Sequence, residues 1–230
     1  MFGPHRTAGM TLGLLVALAA CDTSSTAPTE EPAFASANSA QHRTANVYTH
    51  PSQGPTVQVE GEAKLVTNRN GIHVSLHTSG LTPGHAYTVW WVVFNQPELC
   101  LGGLFGGLPF TCVPADVLFN AAGTNSDVAY ATGHVVGGNG KATFSASLRT
   151  GPIPGGWYGN ALENPQGADV HLVLMDHGPV IPGLVANQTS TLRGGCTDAS
   201  VPAVFPPVAH QDGIPGPNTC RLVQFTALEL

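Results

Sequence analysis

Polar and apolar residues alternate in a segment that begins at Val57. From Val57 to Leu65, small or apolar side chains occupy every second position, with glutamine, glutamate and lysine between them. The same alternation returns from Ile72 to His77. A period of two residues is typical of a β-strand with one face in solvent, so the pattern predicts two strands here.

The two runs are predicted to form a hairpin. Asn70-Gly71 separates them, and this dipeptide favours a tight turn between strands. A two-residue loop places Leu65 opposite Leu76, and a four-residue loop places it opposite Val74. Both registers keep the apolar faces together, whereas a shift by one residue would set apolar against polar.

Further strands are predicted by the same criteria. The segment from Ala86 to Asn95 contains Val-Trp-Trp-Val-Val, which is apolar on both faces and indicates a central strand. No segment after residue 20 combines a 3.6-residue apolar period with helix caps. The other predicted strands run over Val128 to Val136, Lys141 to Leu148, Asp169 to Met175 and Leu222 to Leu228.

These elements predict an all-β fold, an antiparallel β-sandwich of about seven to nine strands with long Pro/Gly-rich loops and two disulfides. A closed barrel built from the same strands is the alternative fold. The longest predicted loop, from Gly178 to Asn218, is Pro-rich. Because loops of that length seldom lack structure of their own, a short strand or helical turn is expected near Val185 to Leu192.

Composition agrees with a folded, turn-rich domain. The 230 residues include 28 glycines and 19 prolines, and 42% of them are hydrophobic. Charged residues make up 10% of the chain, against roughly 25% in an ordinary soluble domain. With eight Lys and Arg against fourteen Asp and Glu, the chain lacks the basic surface that nucleic-acid binding requires.

The first 55 residues differ from the rest. Within residues 1–20, Arg6 precedes a ten-residue apolar run from Thr11 to Ala20, which is too short to span a bilayer and is typical of a signal peptide. Residues 21–55 are rich in Ser, Thr, Ala and Pro and are predicted to form a disordered tether. Residues 56–230 are predicted to form a single β-sandwich domain.

The sequence Leu18-Ala19-Ala20-Cys21 resembles the lipobox of bacterial lipoproteins. This resemblance implies that Cys21 receives a lipid and anchors the protein to a membrane without spanning it. The expected location is the bacterial cell envelope, outside the cytoplasm, on the periplasmic face or the cell surface. Ordinary cleavage that leaves Cys21 as a free thiol is the alternative.

The remaining four cysteines predict two disulfides, because their number is even and the chain is predicted to be exported. Four cysteines allow three pairings. Proximity in sequence favours Cys100 with Cys112 and Cys196 with Cys220. The Cys-x-x-Cys spacing of a thiolate metal site does not occur in the sequence.

Histidines supply the candidate metal ligands, and the chain has ten of them. His171 and His177 flank a predicted strand end, with two aspartates close in sequence, and His134 lies on another predicted strand. A copper or zinc site requires such imidazoles to converge on one point. The orientation of His134 depends on the following loop: it faces outward with a two-residue turn, and faces Phe144 with a three-residue turn. The alternative is that these are ordinary sheet and turn residues.

Aromatic residues supply the candidate binding surface. Trp90, Trp157 and Tyr158 would bind a carbohydrate or peptide if they formed an exposed platform. Phe105 lies in an apolar loop between Cys100 and Cys112. That loop either caps an open end of the sandwich or forms an exposed patch for a partner.

The turn Ser79-Gly80-Leu81-Thr82-Pro83-Gly84 joins two predicted strands. It resembles the strand-Gly-Leu-x-Pro-Gly turn of the CHRD family, whose members are secreted β-sandwich domains. That family continues with His-x-His, whereas this chain continues with His85-Ala86-Tyr87, so no metal role is carried over. Taken whole, the domain resembles uncharacterised envelope lipoproteins of bacteria, and this resemblance implies no activity.

Motifs of catalysis are missing from the sequence: it has no Gly-x-Ser-x-Gly, phosphate-binding loop, His-Glu-x-x-His or EF-hand loop. The leading hypothesis is therefore a membrane-tethered, non-catalytic binding or scaffold domain with a protein or glycan partner. The second hypothesis is a copper or zinc protein or metalloenzyme that uses His134, His171 and His177. The third is carbohydrate or peptide binding by the surface aromatics.

Overall fold

The computed structural model describes residues 40–230. The predicted signal peptide, the predicted lipidation site Cys21 and the first part of the predicted tether lie outside the described residues. The strands are β1 (Gln41–Thr49), β2 (Val59–Asn68), β3 (Gly71–Thr78), β4 (His85–Phe94), β5 (Gly103–Phe105), β6 (Leu108–Phe110), β7 (Ser126–Val135), β8 (Ala142–Arg149), β9 (Gly151–Pro152), β10 (Ala161–Leu162), β11 (Asp169–Pro179) and β12 (Arg221–Leu228).

Three short helices accompany the strands in this part of the chain: α1 (Pro114–Thr124), α2 (Val185–Gln188) and α3 (Pro207–Gln211). Single 3₁₀ turns lie at Pro51–Gln53, Pro97–Leu99 and Asp198–Ser200. Between residues 40 and 230, no helix has both the length and the apolar character needed to cross a bilayer.

Eight of the described strands form one antiparallel sheet in the order β7-β4-β11-β12-β1-β2-β3-β8. The sheet divides into two four-stranded halves, because β12 and β1 are paired only at Tyr48 with Phe225 and Thr49 with Gln224. Its outermost strands also meet, since the His134 ring on β7 stacks on Phe144 of β8 with centroids 4.3 Å apart. The two halves enclose one core. This sandwich-like arrangement confirms the predicted all-β fold class.

The core between the halves is built from alternate positions of the strands. Tyr87, Val89, Trp91 and Val93 on β4 all point into it. Leu65 on β2 belongs to the same cluster and lies opposite Val74 on β3, which is one of the two registers that the sequence allowed. Each large side chain buried in this way contributes about 1.5–3 kcal/mol to folding.

An outer layer covers the opposite face of β4 and its neighbours. We define this layer as residues 100–124 and 184–220. It packs on the remaining positions of β4, namely Trp90, Val92 and Phe94, through side chains such as Val117 and Leu192. The Val-Trp-Trp-Val-Val run is apolar on both faces because both faces are covered, and β4 is flanked by β7 and β11 as a central strand should be.

Both predicted disulfides are present in the described chain, and both lie in the outer layer. Cys100 is bonded to Cys112, and Cys196 is bonded to Cys220. Three of these four residues belong to the hydrophobic cluster under the layer, and Cys100 packs against it. The cross-links therefore close loops that cover the sheet and that have little core of their own.

The tether was predicted to extend to residue 55, but the ordered domain already includes a strand that begins at Gln41. Strand β1, Gln41–Thr49, lies between β12 and β2 in the sheet, and Val47 is fully buried. Arg43 of the same strand donates hydrogen bonds to the carbonyl oxygens of Ala168 and Gln166, each at 2.7 Å. The Ser/Thr/Ala-rich composition hid this strand because its order comes from pairing with β2 rather than from its own propensity.

Helix α1 was not expected from the sequence. It begins with Pro114, and the Asp116 carboxylate accepts a hydrogen bond from the Val113 backbone at 2.8 Å. It ends at Thr124, and the following residue, Asn125, adopts a left-handed conformation with φ 46°. A non-helical residue inside it, Asn120 with φ −138°, interrupts the 3.6-residue period. Helix α2, in contrast, confirms the turn expected near Val185 to Leu192.

Two truncations distinguish the observed domain boundary from the predicted one. Deletion of residues 1–39 removes the predicted signal peptide and the first part of the predicted tether and keeps all eight strands of the main sheet, so it is expected to leave the melting temperature nearly unchanged. Deletion of residues 1–55 removes β1 and leaves β2 and β12 without their common neighbour, so it is expected to unfold the domain or lower the melting temperature by about 10 °C or more. Circular dichroism melts of both proteins measure this. Equal melting temperatures would show that β1 is dispensable.

Candidate ligand-binding cavity

A partly open cavity of about 320 Å³ lies between the outer face of the sheet and the outer layer. Trp90, Val92 and Val173 line it from the sheet, and Phe105 and Phe205 line it from the loops that cover the sheet. Its volume falls within the range of small-molecule pockets, roughly 300–1,000 Å³. The lining side chains of the described chain are apolar or aromatic except for His50, Ser52 and His171, and none of them is Asp, Glu, Lys or Arg.

One group of rings in the cavity wall surrounds Phe225. Phe105 and Phe110 pack on Phe225 with centroids 4.8 and 5.7 Å apart, both nearly perpendicular to it. The ring of His50 lies 5.3 Å from Phe105. These are the separations and edge-to-face angles that aromatic pairs prefer.

A second group of rings surrounds Trp157. Its ring lies 5.8 Å from Trp90 and 5.0 Å from Phe205, with tilted planes in both pairs. The Trp157 backbone donates a hydrogen bond to the carbonyl oxygen of Val128 at 3.0 Å. This bond ties the loop that carries Trp157 to strand β7 beneath the cavity.

The first disulfide holds the β5–β6 hairpin, which supplies Phe105 and Phe110. The hairpin turns at Gly106-Gly107, where φ values of 63° and 80° require glycine. A Cβ atom at Gly106 would also lie 2.9 Å from a methyl group of Val57. The backbone therefore approaches its neighbour closely enough to bring Phe105 over the sheet.

The second disulfide, Cys196–Cys220, closes the loop that carries Phe205. Beside it, His177 is fully buried. Its Nδ1 lies 2.9 Å from the carbonyl oxygen of Gly194, so Nδ1 carries the hydrogen and donates it. Its Nε2 then accepts from the Thr88 hydroxyl at 2.8 Å, and that hydroxyl oxygen accepts from Nε1 of Trp90 at 2.8 Å. His177 thus fixes the orientation of the cavity's central tryptophan.

Two imidazoles border the cavity, and both are neutral near pH 7. Burial lowers the pKa of His50 to about 4 and that of His171 to about 4. His50 Nδ1 accepts a hydrogen bond from the Ser52 backbone N–H at 3.2 Å. Because the other lining residues carry no charge either, the cavity as a whole is uncharged.

The candidate metal ligands do not converge. His134 stacks on Phe144 at the edge of the sheet, His171 borders the cavity, and His177 is buried beside Thr88. The placement of these three histidines gives no support to a copper or zinc site shared by them. Among the described residues, one set of ligand atoms lies within 4.8 Å of one another, that of His177, Cys196 and Cys220. Both of its cysteines are bonded to each other in the disulfide, so neither is available as a thiolate ligand.

The candidate aromatic residues do come together, although not as the predicted surface platform. Trp90, Phe105 and Trp157 line the cavity, and Trp90 is only 3% exposed. Tyr158 packs against the same hydrophobic cluster without lining the cavity. Within the loop of the first disulfide, Phe105 points inward whereas Leu101 and Leu104 are 83% and 73% exposed. The loop therefore both covers the sheet and presents apolar side chains to solvent.

Several cavity residues were missed from the sequence. His50 falls in the predicted tether. The residues before it alternate between polar and apolar only from Thr44 to Val47, which is too short to predict a strand in Ser/Thr/Ala-rich surroundings. Phe110 and Phe225 were seen only as loop and strand residues. Phe225 lies on a face of β12 that a two-layer sandwich would leave in solvent, and Phe110 lies in the loop that covers that face. Neither position identifies a cavity wall until the loop and the sheet are brought together.

Residues 40–230 thus form an antiparallel β-sandwich with an aromatic-lined cavity under disulfide-closed loops. Compared with known proteins, the chain matches no family model, and no curated protein sequence is similar to it.

Acidification tests the buried state of His171. Its pKa is about 4 in the folded protein against an ordinary value of about 6.5. Between these two pH values the unfolded chain binds the proton and the folded chain does not. The free energy of unfolding is therefore unaffected by His171 above pH 6.5 and decreases as the pH falls towards 4. His171→Phe is expected to reduce the loss of unfolding free energy between pH 7 and pH 4 by about 2–3 kcal/mol, as measured by urea denaturation.

The matched control is His77→Phe, which makes the same substitution at an exposed position on β3 and so measures the effect of losing a histidine that is not buried. Asp169 acts in the opposite direction, because burial raises its pKa to about 6 and its folded form therefore gains the proton first. Protonation of Asp169 therefore stabilises the folded protein increasingly as the pH falls through 6. Asp169→Asn removes this stabilisation, so the free energy of unfolding should fall more steeply with acid than in wild type. A His171→Phe profile parallel to wild type would contradict the buried, neutral imidazole.

Proposed function

We propose that this protein is a lipid-anchored binding protein of the bacterial cell envelope, whose β-sandwich domain holds a small apolar molecule without catalysing a reaction. The cavity under the outer layer carries this proposal. Protein interiors are close-packed and contain few voids larger than a water molecule. A space of about 320 Å³ bordered by well-packed rings is therefore better explained as a binding site than as a packing defect.

The lining favours binding over catalysis. Among the described residues that line the cavity, Ser52 alone carries a hydroxyl group. That hydroxyl donates a hydrogen bond to the carbonyl oxygen of Leu222 at 3.1 Å. No carboxylate borders the cavity in residues 40–230, and the two imidazoles are neutral because their burial lowers each pKa. Such a surface gains free energy by removing apolar area from water, at about 25 cal/mol per Å².

The envelope location and the lipid anchor are supported by the sequence Leu18-Ala19-Ala20-Cys21. Two disulfides agree with it, because such bonds persist in oxidising compartments outside the cytoplasm. The anchor would keep the cavity close to a membrane surface, where apolar molecules are concentrated.

Binding of an apolar fluorescent probe tests the proposed cavity. N-phenyl-1-naphthylamine is expected to bind with a micromolar dissociation constant and to quench the protein's tryptophan emission, because Trp90 and Trp157 line the site. Val173→Phe places a larger side chain in the cavity and should weaken binding about tenfold or more, by about 1.4 kcal/mol. Titration of tryptophan fluorescence measures both constants.

The control for this experiment is Val59→Phe, which makes the same substitution at a position that is 59% exposed on β2. It should bind the probe as wild type does. If wild-type protein does not bind the probe, or if Val173→Phe binds it unchanged, the cavity is not the binding site.

Replacement of the predicted lipidation site tests the anchor. Cys21→Ser is expected to move the protein from the membrane fraction to the soluble fraction and to abolish labelling by radioactive palmitate, because two or three acyl chains are needed for stable anchoring. Cell fractionation and metabolic labelling measure these outcomes. Unchanged fractionation without any labelling of the wild type would indicate ordinary signal cleavage instead.

A further inference from the structure

The proposed function leaves one feature of the cavity unexplained, the imidazole of His171. Its ring packs against Phe94 at 5.1 Å and lies 6.3 Å from Phe110. Nε2 is buried and has no hydrogen-bond partner. A buried polar atom in that state costs about 1–3 kcal/mol, so a phenylalanine or leucine would serve the packing better.

Glu229 determines which ring nitrogen holds the hydrogen. Its Oε1 accepts hydrogen bonds from the backbone N–H groups of Thr111 at 2.6 Å and Cys112 at 3.4 Å. This pinned carboxylate lies 3.8 Å from His171 Nε2. In a neutral imidazole, a nearby negative charge favours the tautomer with hydrogen on Nε2, and Nδ1 is then an acceptor.

Nδ1 of His171 is the acceptor left available to the cavity. Nε2 is the nitrogen sealed from solvent, whereas the side chain borders the cavity and 12% of it is accessible. The other imidazole differs, because Nδ1 of His50 is already occupied by the N–H of Ser52. His171 therefore adds one available hydrogen-bond acceptor to a lining that, apart from His50 and Ser52, is aromatic and aliphatic.

We propose that the cavity selects an uncharged aromatic molecule bearing a hydroxyl or N–H group, which donates a hydrogen bond to Nδ1 of His171. This inference rests on the proposed function and narrows its ligand class. The rings of Phe94 and Trp90 favour a planar aromatic body. A charged ligand is disfavoured, because burying a charge without a counter-charge is costly and no lining residue of the described chain provides one.

Three probes of similar shape test this selection in the full-length protein at pH 7: naphthalene, 2-naphthol and 2-naphthoate. We expect 2-naphthol to bind about three- to tenfold more tightly than naphthalene, which is the effect of one net hydrogen bond. The carboxylate 2-naphthoate should bind most weakly. His171→Phe keeps a planar ring and removes the acceptor, so it should bring the ratio of 2-naphthol to naphthalene affinity close to one.

Two further variants keep the test decisive. His77→Phe is the matched control on the solvent face of β3 and should retain the preference for 2-naphthol. Glu229→Gln removes the negative charge that positions the His171 hydrogen and keeps an oxygen for the backbone N–H groups of the loop. Glu229→Gln should reduce the ratio of 2-naphthol to naphthalene affinity and leave naphthalene binding unchanged. If His171→Phe does not fold, Glu229→Gln provides the test in its place.

The outcomes separate this inference from the proposed function. Equal binding of naphthalene and 2-naphthol by wild type overturns the role of His171 and leaves an apolar binding site in place. Tightest binding of 2-naphthoate also overturns it, since that result requires a positive charge in the cavity. If none of the probes binds, the proposed function itself fails.

Discussion

The structure depends on the need of strand β4 to bury both of its faces. Tyr87, Val89 and Trp91 lie on one face, and Trp90 and Phe94 lie on the other. The first face is buried when the two halves of the sheet close on each other. The second face would leave large apolar side chains in water, at a cost of about 1.5–3 kcal/mol each, so it requires a covering layer that a sandwich of two sheets does not supply.

That cover is made of loops and short helices, and this explains both the disulfides and the cavity. Loop segments have few backbone hydrogen bonds of their own and lose much conformational entropy when they are ordered. Cross-links at Cys100–Cys112 and Cys196–Cys220 reduce that cost by restricting the unfolded chain, in the entropic model of disulfide stabilisation. An irregular cover also does not pack on a twisted sheet as completely as a second sheet would, and the space left between them is the cavity.

The sequence predicts the parts of this protein whose signals are local. Strand β4, the β2–β3 hairpin with its register narrowed to two choices, and the favoured pairing of both disulfides follow from alternation, turn residues and spacing. Strand β1 and helix α1 do not, because β1 is ordered by its neighbours in the sheet and α1 is short and interrupted at Asn120. For the site, aromatic residues such as Trp90, Phe105 and Trp157 were recognised as candidates. Their convergence was not predictable, since it depends on contacts between residues more than 40 positions apart.

The histidines show how residue type alone misleads. The number of histidines suggested metal binding, but the candidate histidines lie in different environments and make different contacts. His177 donates to a carbonyl oxygen and orients Trp90 through Thr88, a role that leaves neither nitrogen for a ligand. His171 sits among phenylalanines with Nε2 unpaired beside Glu229. The unpaired Nε2 lowers the stability of the fold, whereas Nδ1 is left as a hydrogen-bond acceptor towards the cavity. The same burial that keeps His171 neutral makes it a hydrogen-bond acceptor rather than a cation, so the cavity is suited to polar aromatic molecules and not to anions.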